Sequence, residues 1–262
     1  MTLILPNTSS VVVSGLRQLL GQAKVRNDVP TLTAYAVDAS IYRMQPQAVV
    51  LAEHEGDIDT VVRFAVERGI PLTPRAAGTN LTGSAIGSGI ILDISKMNRI
   101  LEVNEEERWA RVQPGIVLAE LNKQLGRRNL LFGPDPSSGD MCKLGGMLAN
   151  NSAGPHTLIY GAVKDNVQAM RVCLPSGSWL SASSMNLNDP GLDQTLAAHP
   201  SLKPILDLVQ RRRGLIDSKK PTVSKNSCGY NPVSYTHLRA HATVLDLVCR
   251  LLLENKTTPD RP

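Results

Sequence analysis

Residues 48–74 read as a single β-α-β unit, and no other stretch constrains the fold as much. Ala48 to Leu51 is an apolar run of strand length, and Ile58, Val61, Val62, Ala65 and Val66 recur at helical spacing. Gly69 closes that helix and Leu72 to Pro74 forms the second strand. The unit leads straight into "PRAAGTNLTGS", residues 74–84, which holds two glycines, three hydroxyls and one basic group, Arg75. A loop at the C-terminal end of a strand stands where open α/β sheets bind ligands. Backbone amides in a tight glycine turn suit an anion, and Arg75, Thr79, Asn80 and Thr82 add donors. Taken alone, the loop fits a surface turn equally well.

Two familiar phosphate sites are disfavoured. Gly78 and Gly83 have the P-loop separation, but the lysine that reaches the terminal phosphates is missing. Gly87 and Gly89 lack the third glycine of the nicotinamide fingerprint.

Before the unit, Val11 to Lys24 reads as helical and Asn27 to Pro30 as polar turn material. After it, Ile90–Ile94, Ile100–Val103, Trp109–Gln113 and Val167–Leu174 read as strands, and Leu130–Phe132 as a short extended piece. Val117, Leu118, Leu121 and Leu125 follow a helical period. The chain is a mixed α/β or α+β protein without internal repeats.

At 262 residues, 42% hydrophobic and 19% charged, the chain can bury a sizeable core. Apolar stretches such as Val244–Leu253 fall short of the roughly 20 residues of a bilayer span. No membrane span and no secretion signal are read, so a cytoplasmic location is expected. The net charge of +5 is scattered apart from Arg211, Arg212 and Arg213, and aromatics are only 3%, so no nucleic-acid platform is expected. Cys142, Cys173, Cys228 and Cys249 lack the paired spacing of zinc or iron–sulfur sites and read as reduced, buried thiols.

A second ribbon of small, hydrogen-bonding residues lies about sixty positions beyond the first. It is "GPDPSSGDMCKLGGMLANNSAGPHTLIYG", residues 133–161. Two such ribbons separated by strands can enclose one extended ligand bearing phosphates and a planar ring, as a dinucleotide cofactor does.

The ordered series "PRAAGTNLTG", "ILDISKMNRI", "VQPG", "GPDPSS", "LGGMLANNSAG" and "YGAVKDNV" resembles the FAD-binding domain of FAD-linked oxidases of the vanillyl-alcohol oxidase and p-cresol methylhydroxylase type. Within it the chain is similar to the branch of glycolate oxidase flavoprotein subunits, D-lactate dehydrogenases and D-2-hydroxyglutarate dehydrogenases, from about Tyr35 to Asn231. The resemblance implies an α+β fold of two subdomains clasping FAD, with the cap domain missing. It places Pro74, Arg75, Ala76, Ala77, Gly78, Thr79, Asn80 and Gly83 at the diphosphate, and Pro114 and Gly115 beside the adenosine half. Pro136, Ser137, Ser138, Leu144, Gly145, Gly146, Asn150, Ser152, Ala153 and Gly154 then wall the ribityl chain and isoalloxazine, with "KNSCGYN", residues 225–231, approaching later. Some relatives hold FAD covalently through a histidine in the first loop; this chain has none there, so non-covalent FAD is expected. His156 is expected to be a surface polar residue.

The implied activity is hydride transfer from a small-molecule 2-hydroxy acid to the flavin, with the electron acceptor unassigned and the catalytic residues in the absent cap. An iron–sulfur cluster would belong to a C-terminal module outside this chain. Oxidation of another alcohol or sugar, or nucleotide binding without redox chemistry, are the alternatives. The expected organisation is a helical lead-in over 1–45, a truncated FAD-binding domain over 46–231 and a non-native tail over 232–262. That tail resembles translated sequencing-adapter sequence. His237 and His241 within it are spaced i, i+4, but no glutamate follows the first, so no metal site is read. The alternative for the tail is a genuine amphipathic helix from about Ala242 to Leu253.

Overall fold

The computed structural model describes residues 8–183, 191–219 and 245–255. Its first layer is built from helix α1 (Thr8–Leu20), strand β1 (Val25–Arg26), helix α2 (Val29–Tyr35), strand β2 (Ala48–Leu51), helix α3 (Glu55–Glu67) and strands β3 (Leu72–Arg75) and β4 (Ile90–Asp93). The four strands form one sheet in the order β1-β2-β4-β3. β4 runs parallel to β2 and β3, so the β-α-β unit has its two strands separated by one inserted between them. Ile90, Ile91 and Leu92 are fully buried, which explains why β4 is a continuous apolar run. The apolar face of α3 (Ile58, Val61, Val62, Ala65) packs with Val12, Val13 and Leu16 of α1 on this sheet.

The second layer follows: β5 (Ile100–Asn104), β6 (Trp109–Val112), α4 (Leu118–Gly126), β7 (Leu130–Leu131), α5 (Leu144–Ala149), α6 (Thr157–Tyr160), β8 (Val167–Cys173) and β9 (Trp179–Ser183). Helices α7 (Gly191–Ala198), α8 (Leu202–Arg211) and α9 (Arg213–Lys219) come next, then β10 (Leu245–Leu252) and β11 (Glu254–Asn255). Five strands pair antiparallel in the order β5-β6-β10-β8-β9. Their core is centred on Phe132, Leu121, Leu125, Leu144 and Met147.

Three expectations are corrected. The first helix stops at Leu20 rather than Lys24, because Gly21 adopts φ +84° and breaks the α-helical path before a short 3-10 turn, Gln22–Lys24. Asn27–Pro30 is not simply a turn, since Asp28 caps α2 by accepting the Thr31 N–H at 3.0 Å and Pro30 sits in the first turn. The alternative reading of the tail, a helix from about Ala242 to Leu253, is not met over Leu245–Leu252, which is strand β10 between β6 and β8.

The two layers are tied directly. Arg171 of β8 forms an ion pair with Glu55 of α3, and Arg63 donates to the Gly177 carbonyl at 3.2 Å. Cys173, at the end of β8, belongs to the first layer's core.

Candidate functional site

The glycine loop leaves β3 with Gly78 at φ +71° and Gly83 at φ +77°. A Cβ on Gly78 would lie 2.6 Å from Arg75 Nη2, so this position needs glycine for space as well as for backbone conformation. Arg75 folds back onto its own loop: Nη1 donates to the carbonyls of Val37, Ala85 and Tyr35 at 2.8, 3.3 and 3.4 Å, and the guanidinium lies 5.0 Å from the Tyr35 ring centroid. The only basic side chain of the loop is therefore a brace between the lead-in and the loop. Asn80 is a second brace. Its Oδ1 accepts from Thr82 N (2.7 Å), Thr82 Oγ1 (2.9 Å) and Ser84 N (3.1 Å).

With the side chains so used, the loop's remaining hydrogen-bonding capacity is in its backbone. Among the described residues, no hydrogen bond starts from the main-chain N–H of Ala76, Ala77, Gly78, Thr79 or Asn80. All five residues are partly exposed. A run of donors at a glycine turn is an anion-binding concavity.

The two small-residue ribbons meet. Asn80 Nδ2 donates to Asn150 Oδ1 at 3.1 Å, and a Cβ on Gly146 would touch the Ala76 Cβ at 3.5 Å. Gly145 lets α5 pack closely, since a Cβ there would come within 2.9 Å of both Pro114 Cβ and Ile94 Cδ1. Its N–H donates to the Pro114 carbonyl at 2.8 Å. Pro114 and Gly115 are buried against the Ile94–Met97 turn, where a Cβ on Gly115 would meet the Ile94 carbonyl oxygen at 2.3 Å. Pro136 and Ser138 accept backbone bonds from Gly139 and Cys142 in a turn that also caps α4 through the Gly139 carbonyl. Ser152 links Met147 to Val163, and Gly154 packs on Asp135 so tightly that a Cβ would overlap the Asp135 carbonyl oxygen at 2.0 Å. Leu144 is fully buried in the core, while Ala153 stays partly exposed. His156 is at the surface, its side chain 59% exposed and paired with Asp135. "KNSCGYN" and both tail histidines lie outside the described residues.

Sequence reasoning missed a polar network beneath the loop. Tyr35 Oη donates to Asp93 Oδ2 at 2.5 Å, and Asp93 Oδ1 accepts from Ser95 N at 2.6 Å. Ser95 Oγ donates to the Ala76 carbonyl at 3.4 Å and is in hydrogen-bond contact with Lys143 Nζ. Burial and the Asp93 carboxylate push the Tyr35 phenol above its ordinary range, so it remains a donor. Asp93 and Ser95 lie in "ILDISKMNRI", a motif of the family resemblance that carries no expected site residue.

These features fit a flavin dinucleotide. The walls carry small residues, the donors are main-chain, and the two ribbons border one another.

A family model described as "FAD binding domain" matches residues 46–183. The chain is 33% identical over 238 residues to the D-2-hydroxyglutarate dehydrogenase of Pseudomonas putida, an alignment covering 87% of this chain and 23% of that protein. It is 31% identical over 185 residues to glycolate oxidase subunit GlcD of Escherichia coli strain K12, covering 70% of this chain and 37% of the relative. It thus spans about a quarter to a third of the length of these relatives. Among solved structures, alkyldihydroxyacetonephosphate synthase superposes with a TM-score of 0.69 at 19% identity, covering 97% of this chain and 42% of that one. p-Cresol methylhydroxylase does so with a TM-score of 0.66 at 18% identity, covering 97% and 45%. Fold, ribbons and sequence match agree: the chain belongs to the FAD-binding domain family.

Proposed function

We propose that this chain is the FAD-binding portion of an oxidoreductase that oxidises a 2-hydroxy acid of the D-lactate, glycolate or D-2-hydroxyglutarate type. The observation that carries the flavin part is the junction of the two ribbons at Asn80 and Asn150, beside five main-chain donors. The substrate class rests on the relatives named D-2-hydroxyglutarate dehydrogenase, glycolate oxidase subunit GlcD and D-lactate dehydrogenase.

FAD, when bound, supplies a two-electron acceptor for the hydride leaving the substrate's α-carbon. The chain's own part is to bind and orient. Ala76–Asn80 amides hold the diphosphate, Gly145 lets α5 pack close to the ribbon junction, Gly146 lets the cofactor approach the main chain, and Pro136–Ser138 and Ser152–Gly154 line the ring end. Binding is non-covalent, supported by the lack of histidine in residues 74–84. The substrate-binding and proton-accepting groups lie outside this chain, as does any iron–sulfur cluster. Buried free thiols at Cys142 and Cys173 accord with a reducing, cytoplasmic setting.

We also propose that residues 232–262 are foreign to the natural gene, on the strength of their resemblance to translated adapter sequence. Sequencing genomic DNA past codon 231 tests this, and an uninterrupted natural reading frame through codon 262 refutes it. For the function, purified protein should show flavin absorbance after FAD is added, and the complete gene product should lose that absorbance anaerobically with one of the three acids. Colourless protein that takes up no FAD refutes the flavin reading. A flavoprotein that none of the acids reduces refutes the substrate class.

A further inference from the structure

A diphosphate carries negative charge, and Arg75 Nη1 is committed to three carbonyls. We propose that Lys143 supplies the counter-charge for the FAD diphosphate, a positioning role that rests on the flavin reading above.

Lys143 stands within the second ribbon, immediately before Leu144 of α5. Its Nζ contacts Ser95 Oγ, and that same hydroxyl donates to the carbonyl of Ala76, the residue that opens the run of five main-chain donors. The ammonium has three N–H donors, and Ser95 engages one. Among the described residues, no carboxylate oxygen lies within 4.0 Å of Lys143 Nζ. The nearby acid, Asp93, has both oxygens engaged, by Tyr35 Oη and by Ser95 N.

Lys143 Nζ touches a neutral hydroxyl and makes no salt bridge among the described residues, so its partly buried charge is compensated only in part, by Asp93 at longer range. Burial lowers its pKa from the ordinary value; Asp93 opposes that shift and the Arg75 guanidinium adds to it. A bound anion would compensate the charge. A simple structural role would instead place Lys143 Nζ in salt-bridge contact with Asp93, and among the described residues no such contact is made. The chemistry that satisfies both the ammonium and the neighbouring amides is a phosphate group, recognised as a point charge by lysine and through oriented donors by the backbone.

The test is a binding titration of the flavin-free 262-residue chain with FAD and, separately, with riboflavin, which lacks phosphate. Lys143→Met should weaken FAD binding by about tenfold or more, the loss of one charge-assisted contact, and leave riboflavin binding within about twofold. Lys143→Arg should keep FAD affinity within about threefold. Raising the salt concentration should weaken FAD binding by the unsubstituted chain more than by Lys143→Met. Should Lys143→Met fail to fold, Lys143→Gln against Lys143→Arg carries the same comparison.

Unchanged FAD affinity in the methionine variant overturns the proposal, as does an equal loss for FAD and riboflavin, which would mark a structural lysine. An unsubstituted chain that binds neither flavin sinks the flavin reading itself, and the role of the lysine with it. The two failures are thus distinguishable.

Discussion

Gly78 combines two demands at one residue. Its backbone is left-handed at φ +71°, and the Arg75 guanidinium lies where a side chain would begin, 2.6 Å from an added Cβ. Gly78→Ala therefore meets backbone strain of about 1 kcal/mol together with displacement of Arg75 from the carbonyls of Tyr35, Val37 and Ala85. Since that brace positions the donor run, FAD affinity should drop more than tenfold while the midpoint of thermal unfolding falls by only a few degrees. Fluorescence titration and calorimetry on one sample measure both. Equal affinity for FAD in the variant would show that the loop's shape does not matter to the cofactor. The glycine was legible in the sequence as a turn former, but the reason for it was not, because Arg75 reads as an anion ligand until its acceptors are seen. Asn80 misleads in the same way: a carboxamide in a glycine loop suggests a ligand donor, and its oxygen accepts three bonds from its own loop.

At the scale of elements, the turn before β1 is fastened to α3 by Lys24 and Asp57. Both Asp57 oxygens lie within 2.8 Å of Lys24 Nζ, and the Asp57 side chain is only 3% exposed. Burial alone would raise this carboxyl's pKa. The Lys24 ammonium, the Glu53 amide and His54 outweigh burial and hold it below the ordinary 3.8. A depressed folded-state pKa contributes stability that is present above pH 3.8 and is lost as the pH falls through the folded value. Lys24→Met should cost about 3 kcal/mol near neutral pH by stranding a buried carboxylate, and the gap from the unsubstituted protein should close as the pH drops below 3.8. Urea unfolding across that range measures it, and a gap independent of pH would contradict the assignment. Helices α3 and α4 were readable because their buried positions repeat at helical spacing. Helix α2, with no buried residue and a proline in its first turn, gave no such period. β9 was missed because its buried positions, Leu180 and Ala182, alternate with serines in a short polar stretch. Sheet order was not legible either, since β4 enters between strands that precede it in the chain.

The molecule has two cores, tied to one another by Glu55–Arg171, Arg63–Gly177 and Cys173, and its two ribbons meet at Asn80 and Asn150. Composition marked both ribbons as unusual, and their order along the chain carried the family resemblance. Their closure was beyond the sequence, because it depends on contacts such as Asn80 to Asn150 and Lys143 to Ser95, each spanning tens of residues. On this reading the two ribbons act as one binding surface for FAD. Hydrogen–deuterium exchange with peptide resolution, with and without FAD, tests it most directly. Residues 76–80 and 144–154 should gain protection together and over the same FAD concentration range. Protection of one ribbon alone, or of neither while FAD is bound, would contradict it.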